Sequence, residues 1–475
     1  MIAETSQTEL LVIGSGPGGY VAGIRAGQLD LDVTVVEMED IGGTCLNRGC
    51  IPSKALIKAT TMAYQAENSE RMGIYADVEV DYQKLARWKD RVVRRLTKGI
   101  STLFRGNGVR ELKGRAEFVN EEKVCVYDEE GEVKEYIEFE NAIIATGSVP
   151  TEIPGFPFEE EKVLDSREVL NKTEVPDSMV IIGGGYISLE TADVLAKVGC
   201  DVDLVGRPPH GLRGYDKDLV EPVIDHADDI GINLHFGMEA REWWENDDGT
   251  VTVSAMPVED EEDNELRHYT GEEIMVAVGR TPRTDTANLE AVGVNIDDWG
   301  RIEVDDNLET NVEGIYAIGD VLGEPMLAHR ASPQGIEVAE IIAGLEKDEG
   351  KKTVPAAVFT DPEIAVAGMT EEGAREAGID PIVGKFPFRA SGRAVAQGDR
   401  DGFVRVVADE DGRVIGGQVV GPEASELIAE ITLAIETETK LEEVADTIHT
   451  HPTLSEAVME ACETGLGRPI HILQR

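Results

Sequence analysis

Residues 10–19 read LLVIGSGPGG, a short apolar run that leads into a glycine-rich turn. The helix-like stretch YVAGIRAGQL follows, and the strand-like DVTVVE after it ends at Glu37. This order of strand, GxGxxG turn, helix, strand and acidic residue is typical of a dinucleotide-binding unit. Gly14 permits the tight turn, Gly16 lets the backbone approach a pyrophosphate, and Gly19 allows the helix to pack closely on the strand.

The same pattern occurs a second time in the chain. Residues 179–188 read MVIIGGGYIS, and LETADVLAKVG and CDVDLVG follow them. Gly183 and Gly185 take the places of Gly14 and Gly16. Two such units predict two bound dinucleotides, each held by its own Rossmann-like domain of the α/β class.

Proline-rich and charged joins mark the expected domain boundaries. These joins are GSVPTEIPGFP at 147–157, GRTPRTD at 279–285 and EKDEGKKTVP at 346–355. We therefore predict four segments: 1–150, 151–281, 282–350 and 351–475.

Composition limits the classes of function. The chain has 475 residues, 41% of them apolar, so it can bury sizeable cores, and its formal charge of −49 argues against nucleic-acid or anionic-membrane partners. Such an acidic surface is tolerated where salt screens it, which indicates a halophile-type cytoplasm. No run reaches membrane-spanning length, and Glu4 and Glu9 in a start without a basic stretch predict no secretory signal.

Two of the five cysteines lie close together, in GGTCLNRGCIPSK at residues 42–54. A zinc site would need two more ligands, and no second Cys or Cys/His pair supplies them, so we expect no metal. A structural disulfide across so short a loop would add little stability and would be reduced in a cytosol. Cys45 and Cys50 are therefore interpreted as a redox pair that is expected at a helix N-terminus, and the isolated cysteines as buried apolar residues.

This stretch resembles the active-site sequence of the flavin-dependent pyridine nucleotide–disulfide oxidoreductases, which include dihydrolipoamide dehydrogenase, glutathione reductase and mercuric reductase. Further motifs of that family follow in order: ATG at 145–147, GGGYISLE at 183–190, AVGRTP at 277–282, YAIGD at 316–320, AHRAS at 328–332 and HTHPTLSE at 449–456. The resemblance covers nearly the whole chain. It implies an FAD domain at 1–150 completed by 282–350, an NAD(P) domain at 151–281, and an α+β dimerisation domain at 351–475.

The resemblance also implies roles for particular residues. Cys50 would lie against the flavin and Cys45 would exchange with substrate, while an ion pair between Lys54 and Glu190 would stand near the reactive ring. The FAD site would include Gly14, Gly16, Gly19, Glu37, Thr44, Lys54, Thr146, Gly147, Asp320 and Ala328. The nicotinamide site would include Gly183, Gly185, Gly279, Arg207, Arg213 and Tyr186, which would act as its lid.

HTHPTLSE supplies a general base, because thiol exchange needs a thiolate and a histidine can take the thiol proton. In the family this histidine and a carboxylate that orients it, here His451 and Glu456, come from the partner subunit. The resemblance therefore implies a homodimer. His449 is expected to be structural.

The two units differ where the ribose of the nucleotide would lie. Glu37 stands 23 residues after Gly14, whereas the same offset from Gly183 falls on Gly206. The acid that binds a free ribose 2′-hydroxyl in an NAD site is thus absent, and Arg207 and Arg213 follow in GRPPHGLRG. Arginine binds phosphate in a bidentate manner, so we predict NADP, with NAD as the alternative.

The substrate is expected to be a small disulfide. Arg48, between the cysteines, could bind a substrate carboxylate and lower the pKa of Cys45. With the NADPH prediction, this places reduction of bis-γ-glutamylcystine first. NAD-dependent dihydrolipoamide dehydrogenase, which works within 2-oxoacid dehydrogenase complexes, is the alternative. Mercuric reductase is less favoured because the C-terminal tail lacks a vicinal cysteine pair. A non-enzymatic flavin sensor is also less favoured, because it would not need Cys45, Cys50, His451 and Glu456 together.

Overall fold

The computed structural model describes residues 4–258, 265–346, 350 and 352–473. The first segment contains the predicted strand, glycine turn, helix and strand. Its elements are β1 (Glu4–Ile13), α1 (Pro17–Gln28), β2 (Val33–Glu37), α2 (Gly43–Arg48), α3 (Cys50–Glu67), α4 (Tyr82–Gly106), β3 (Arg110–Lys113), β4 (Arg115–Asn120), β5 (Lys123–Tyr127), β6 (Val133–Ile144) and β7 (Ser148–Pro150).

Strands β1 to β6 form a sheet in the order β3-β2-β1-β6-β5-β4. β1 lies parallel to both β2 and β6, so the glycine turn after β1 opens at the carboxyl edge of the sheet, where open α/β sheets bind ligands. Gly14 has a φ of +101°, and a Cβ there would lie 2.3 Å from the carbonyl oxygen of Ala145. Glycine is therefore required at this turn by both backbone conformation and space.

The second segment repeats the arrangement. Its elements are β8 (Val163–Leu164), α5 (Ser166–Leu170), β9 (Ser178–Ile182), α6 (Tyr186–Ala196), β10 (Asp201–Gly206), α7 (Lys217–Asp229), β11 (Ile232–Phe236), β12 (Met238–Glu245), β13 (Val251–Pro257), β14 (Arg267–Gly271) and β15 (Glu273–Val276). A parallel sheet has the order β11-β10-β9-β15-β8, and β12, β13 and β14 form an antiparallel sheet beside it. The second strand–turn–helix–strand prediction is thus also confirmed.

The chain then returns to the first sheet. The elements that follow are β16 (Arg280–Pro282), β17 (Ile315–Ala317) and α8 (Ala328–Ile342). β16 pairs with β7, β17 adds to the first sheet beside β6, and Gly335 of α8 packs against Gly18 and Ala22 of α1. The boundary predicted between 350 and 351 falls beside residues outside the described ranges.

An antiparallel sheet dominates the C-terminal segment. Its elements are β18 (Ala356–Val358), β19 (Glu363–Gly368), α9 (Glu371–Glu376), β20 (Ile382–Pro387), α10 (Gly392–Gln397), β21 (Phe403–Ala408), β22 (Val414–Gly421), α11 (Ala424–Glu436), α12 (Leu441–Asp446) and α13 (Glu456–Gly465). Short 3-10 helices cover Glu70–Met72, Leu289–Ala291, Gly319–Leu322 and Phe388–Ala390. The sheet order is β18-β19-β22-β21-β20, and α11 and α13 share its apolar core. The predicted fold class, two Rossmann-like domains and an α+β domain, is confirmed.

Candidate active site

A cleft lies where the first glycine turn, the cysteine helices and the start of α6 meet. The residues assigned to FAD that line it are Gly14, Gly16, Glu37, Thr44, Lys54, Thr146, Gly147, Asp320 and Ala328. Gly19 is not among them. A Cβ there would lie 2.0 Å from the carbonyl oxygen of Gly14, which supports the packing role predicted for it.

The end of the cleft formed by the first unit fits a dinucleotide. A Cβ on Gly16 would meet nothing within 4 Å, so the backbone is open to a pyrophosphate, and the N-terminus of the 12-residue α1 begins beside it. Glu37 is buried at the end of β2. Its Oε2 accepts hydrogen bonds from the Ser15 N–H at 2.8 Å and the Ser15 hydroxyl at 2.6 Å. These donors hold the carboxylate at the end of β2, where the sequence analysis predicts the ribose of FAD.

The two redox cysteines lie on consecutive helices in the middle of the cleft. Cys45 is in α2, Gly49 separates the helices, and α3 begins at Cys50, so the pair lies beside a helix N-terminus as expected. Both are free thiols that hydrogen bond to each other. This contact raises the pKa of Cys45 and burial adds to the effect, whereas the same contact and the charge of Lys54 lower the pKa of Cys50. These opposite shifts favour the thiolate form at Cys50 over Cys45.

The predicted ion pair is present beside Cys50. Lys54 Nζ lies 2.8 Å from Glu190 Oε2, across the junction of α3 and α6. The other carboxylate oxygen, Oε1, accepts a hydrogen bond of 2.9 Å from the N–H of Phe359, whose ring lies 4.1 Å from Lys54 Nζ. Glu190 and Phe359 thus hold the Lys54 ammonium in place, and its charge lowers the pKa of Cys50.

Arg280 is a site residue that the sequence analysis missed, although the AVGRTP motif contains it. It lines the cleft with Tyr186, and its Nε donates to the Ser148 hydroxyl at 2.8 Å. That hydroxyl donates in turn to Asp320 Oδ2 at 2.6 Å. Burial, together with the charge of Glu190, raises the pKa of Tyr186 to about 12, so its phenol stays protonated.

Arg48 does not have the role predicted for it. Its guanidinium is paired with the carboxylates of Glu39 and Asp40, the latter at 2.8 Å. The pKa of Cys45 is raised rather than lowered, because hydrogen bonding to Cys50 and burial outweigh the nearby cation of Lys54. Arg48 lines the cleft, but its guanidinium is held by these two carboxylates rather than free for a substrate carboxylate.

His451 and Glu456 form the predicted pair, but they do not line the cleft of their own chain. His451 Nδ1 lies 2.9 Å from Glu456 Oε1, and its side chain is 79% exposed. Burial opposes ionisation of Glu456, yet the Thr453 N–H and His451 keep the pKa of this carboxyl below its usual value. His449, by contrast, is buried against Glu430, which supports its structural interpretation.

The turn and strand end of the second unit lie outside the cleft. Gly183 has a φ of +145°, and a Cβ on it would lie 2.4 Å from the carbonyl oxygen of Ala277. A Cβ on Gly185 would meet nothing within 4 Å, which leaves this backbone open to a ligand. Gly279, also predicted for this site, has a φ of +145°. Among the nicotinamide residues, only Tyr186 lines the cleft.

Both arginines of the predicted phosphate site are exposed after β10. The Arg207 side chain is 73% exposed, and its Nε is 3.9 Å from the nearest carboxylate oxygen, on Glu239. At that separation Arg207 can turn toward a ligand at little cost.

The remaining cysteines, Cys125, Cys200 and Cys462, are buried as predicted. Within the described ranges, no group of three or more His, Cys, Asp or Glu side chains is arranged to hold a metal ion. No helix there combines the length and apolar character that a membrane span requires.

Comparison with known proteins gives consistent matches over the chain. The dihydrolipoyl dehydrogenases of Halobacterium salinarum and Haloferax volcanii are 53% and 52% identical to it, each over 98% of both chains. The dihydrolipoyl dehydrogenase of Geobacillus stearothermophilus is 45% identical. Among solved structures, LpdA of Mycobacterium tuberculosis has a TM-score of 0.88 at 26% identity, over 96% of this chain and 99% of LpdA. The HOCl-induced flavoprotein disulfide reductase RclA of Escherichia coli has a TM-score of 0.85 at 25% identity, with the same coverage.

Two family models also match. The pyridine nucleotide-disulphide oxidoreductase model covers residues 8–335, and the dimerisation domain of that family covers residues 354–462. The cysteine pair, the two dinucleotide units and the C-terminal sheet all fall within these matches. This chain belongs to the pyridine nucleotide-disulphide oxidoreductase family.

Proposed function

We propose that this disulfide oxidoreductase oxidises a protein-bound dihydrolipoyl group to its cyclic disulfide, as part of a 2-oxoacid dehydrogenase complex. The observation that carries the proposal is the placement of Cys45 and Cys50 in one cleft with the Lys54–Glu190 ion pair. The names of relatives that are 45–53% identical support the dihydrolipoyl substrate. They favour it over bis-γ-glutamylcystine, which the sequence analysis placed first.

The family supports FAD and a pyridine nucleotide as cofactors and a homodimer as the assembly. FAD, when bound, would supply a ring that passes two electrons between the cysteines and the nucleotide. Glu37, with the open backbone at Gly16, would hold its adenosine and pyrophosphate. Lys54 would keep a positive charge at the Cys50 thiolate, so that this sulfur leaves Cys45 readily.

The thiol chemistry follows from the two opposite pKa shifts. A substrate thiolate attacks Cys45 Sγ of the oxidised pair, the Cys45–Cys50 bond breaks, and Cys50 leaves as the thiolate that Lys54 stabilises. The second substrate thiolate then attacks the first substrate sulfur, which is bonded to Cys45 Sγ. This closes the substrate disulfide and releases Cys45 as a thiolate. Cys45 then takes a proton, as its raised pKa requires.

A base must remove the substrate protons, and the cleft of one chain does not contain His451. We propose that His451 and Glu456 of a second subunit complete the site. The high exposure of His451 and its hydrogen bond to Glu456 support this role, because the imidazole is oriented and still accessible.

For the nucleotide we propose NADP(H). Gly206 offers no carboxylate to a ribose 2′-hydroxyl, and the exposed Arg207 and Arg213 offer cations to a 2′-phosphate. This pair of arginines also favours a second candidate function, NADPH-driven reduction of a small disulfide. The two functions share the same cysteines and differ in substrate and direction.

A substrate panel tests the proposal. Purified protein is assayed with NADP(H) or NAD(H) against dihydrolipoamide and lipoamide, oxidised glutathione and bis-γ-glutamylcystine. We expect the highest kcat/KM with the lipoyl pair. A higher value for bis-γ-glutamylcystine would overturn the dihydrolipoyl assignment in favour of the second candidate.

Two serine variants serve as controls. Cys45→Ser should abolish turnover with every disulfide while leaving the flavin bound, because only the exchanging sulfur is lost. Cys125→Ser, at a buried cysteine away from the cleft, should keep turnover. Turnover retained by Cys45→Ser would contradict the assigned role.

A further inference from the structure

Three glycines surround one aromatic ring at the end of the second unit. A Cβ on Gly206 would lie 2.8 Å from Cδ1 of Phe236, and one on Gly211 would lie 2.9 Å from its Cζ. A Cβ on Gly184, in the glycine turn itself, would lie 3.5 Å from its Cε1. Contacts below about 3 Å require the neighbour to move, so a side chain at Gly206 or Gly211 would require the Phe236 ring to shift.

Backbone conformation does not explain the two closest glycines. Neither Gly206 nor Gly211 has a positive φ, in contrast to Gly183 at +145°. Any residue could therefore adopt their conformations, and what requires glycine at these two positions is the space that the ring occupies.

The ring is attached to a fixed position in the sheet. Phe236 is the last residue of β11, where it pairs in register with Gly206 at the end of β10. It is half-buried and, like Leu234 and Ile224, packs against the core of the nucleotide domain. A larger residue at 206 would therefore have to displace a ring that is held by its strand and its core contacts.

This place is also the edge of the sheet where a nucleotide ribose is recognised. In a dinucleotide unit the second strand ends at the residue that binds the ribose 2′-position, and here that residue is Gly206. We propose that Phe236 is a specificity-determining residue: its ring excludes an acid at position 206 and leaves recognition of the 2′-group to Arg207 and Arg213. The inference rests on the proposed use of NADP(H).

A pair of coupled substitutions tests it. Gly206→Glu alone should not produce NADH use, because the new side chain collides with the ring. Adding Phe236→Ala should make room for the carboxylate and raise the NADH/NADPH ratio of kcat/KM at least about tenfold over wild type. The affinity of the double variant for 5′-AMP relative to 2′,5′-ADP should likewise be higher than that of wild type. Calorimetry measures both affinities without turnover.

Gly206→Ala provides a second pair in case the glutamate variant does not fold. Its melting temperature should be lower than wild type and should recover part of the loss when Phe236→Ala is added, a non-additive result. Leu234→Ala, on the same strand and in the same core, is the matched control and should rescue neither substitution.

The possible outcomes separate the two proposals. If Gly206→Glu alone shifts the ratio as far as the double variant, or if the alanine pair is additive, Phe236 does not exclude side chains at 206 and the inference is wrong. If wild type prefers NADH while the alanine pair is non-additive, the proposed NADP(H) use fails but the steric role of Phe236 stands.

Discussion

The two dinucleotide units share a sheet order and a glycine turn but differ at the end of their second strand. In the first unit Glu37 is buried and accepts two hydrogen bonds from Ser15. In the second unit Gly206 stands in the corresponding place, and the ring of Phe236 lies 2.8 Å from where its Cβ would be. We propose that the repeated fold holds a dinucleotide backbone in both units and that the residue ending this strand decides which 2′-group is accepted.

The largest effect is expected from substitutions in the glycine turns. Gly14→Ala forces a Cβ to 2.3 Å from the carbonyl oxygen of Ala145 at a φ of +101°, so it should destabilise the fold by about 3 kcal/mol and release flavin. Gly185→Ala meets nothing within 4 Å and should weaken nucleotide binding with little change in stability. Melting temperature and bound-flavin absorbance distinguish these results. Equal destabilisation would show that the two turns do not differ as their contacts indicate.

Removing the two arginines that we propose bind the 2′-phosphate comes next. The double variant Arg207→Ala with Arg213→Ala should lower kcat/KM for NADPH about 10- to 100-fold and leave that for NADH nearly unchanged, because only NADPH has a 2′-phosphate. Arg375→Ala, in an ion pair on α9, is the surface control. Equal losses for both nucleotides would remove the arginines from 2′-group recognition.

Glu37→Gln tests the acidic residue that ends the second strand of the first unit. The amide keeps the size of the side chain but loses the charge that strengthens its hydrogen bonds, so flavin affinity should fall about tenfold. Flavin release is followed by fluorescence. Glu111→Gln, at an exposed position on β3, should bind flavin like wild type. Unchanged affinity in Glu37→Gln would indicate that this carboxylate does not contact the cofactor.

The smallest effect is expected where the two units join, at the Lys54–Glu190 pair. Lys54→Met removes a charge that lowers the pKa of Cys50, so less thiolate should form below the ordinary thiol pKa. Alkylation of Cys50 in reduced, flavin-free protein should be about three- to tenfold slower at pH 7 and should approach the wild-type rate at high pH. Mass spectrometry resolves the site. Lys58→Met, exposed one turn further along α3, should react like wild type, and identical profiles for both variants would exclude this role for Lys54.

Local patterns allowed much of this arrangement to be predicted. Both glycine turns, the helices after them and a helix N-terminus at the cysteine pair lie where the sequence placed them. Such features depend on residues close together in the chain, through backbone conformation and hydrophobic periodicity. The failure at Arg48 has the opposite origin, because the sequence does not show that Glu39 and Asp40 fold back onto this guanidinium.

The sequence alone determined the redox pair, the two nucleotide units and the absence of an acid at Gly206, since each is a matter of residue type and short spacing. Only the tertiary structure decided how Phe236 fills the space beside Gly206, and how Arg280 reaches Ser148, 132 positions away in the chain. These contacts join strands and loops that are brought together by packing of the whole domain. No local pattern specifies them, because their energy comes from neighbours that exist only after the chain has folded.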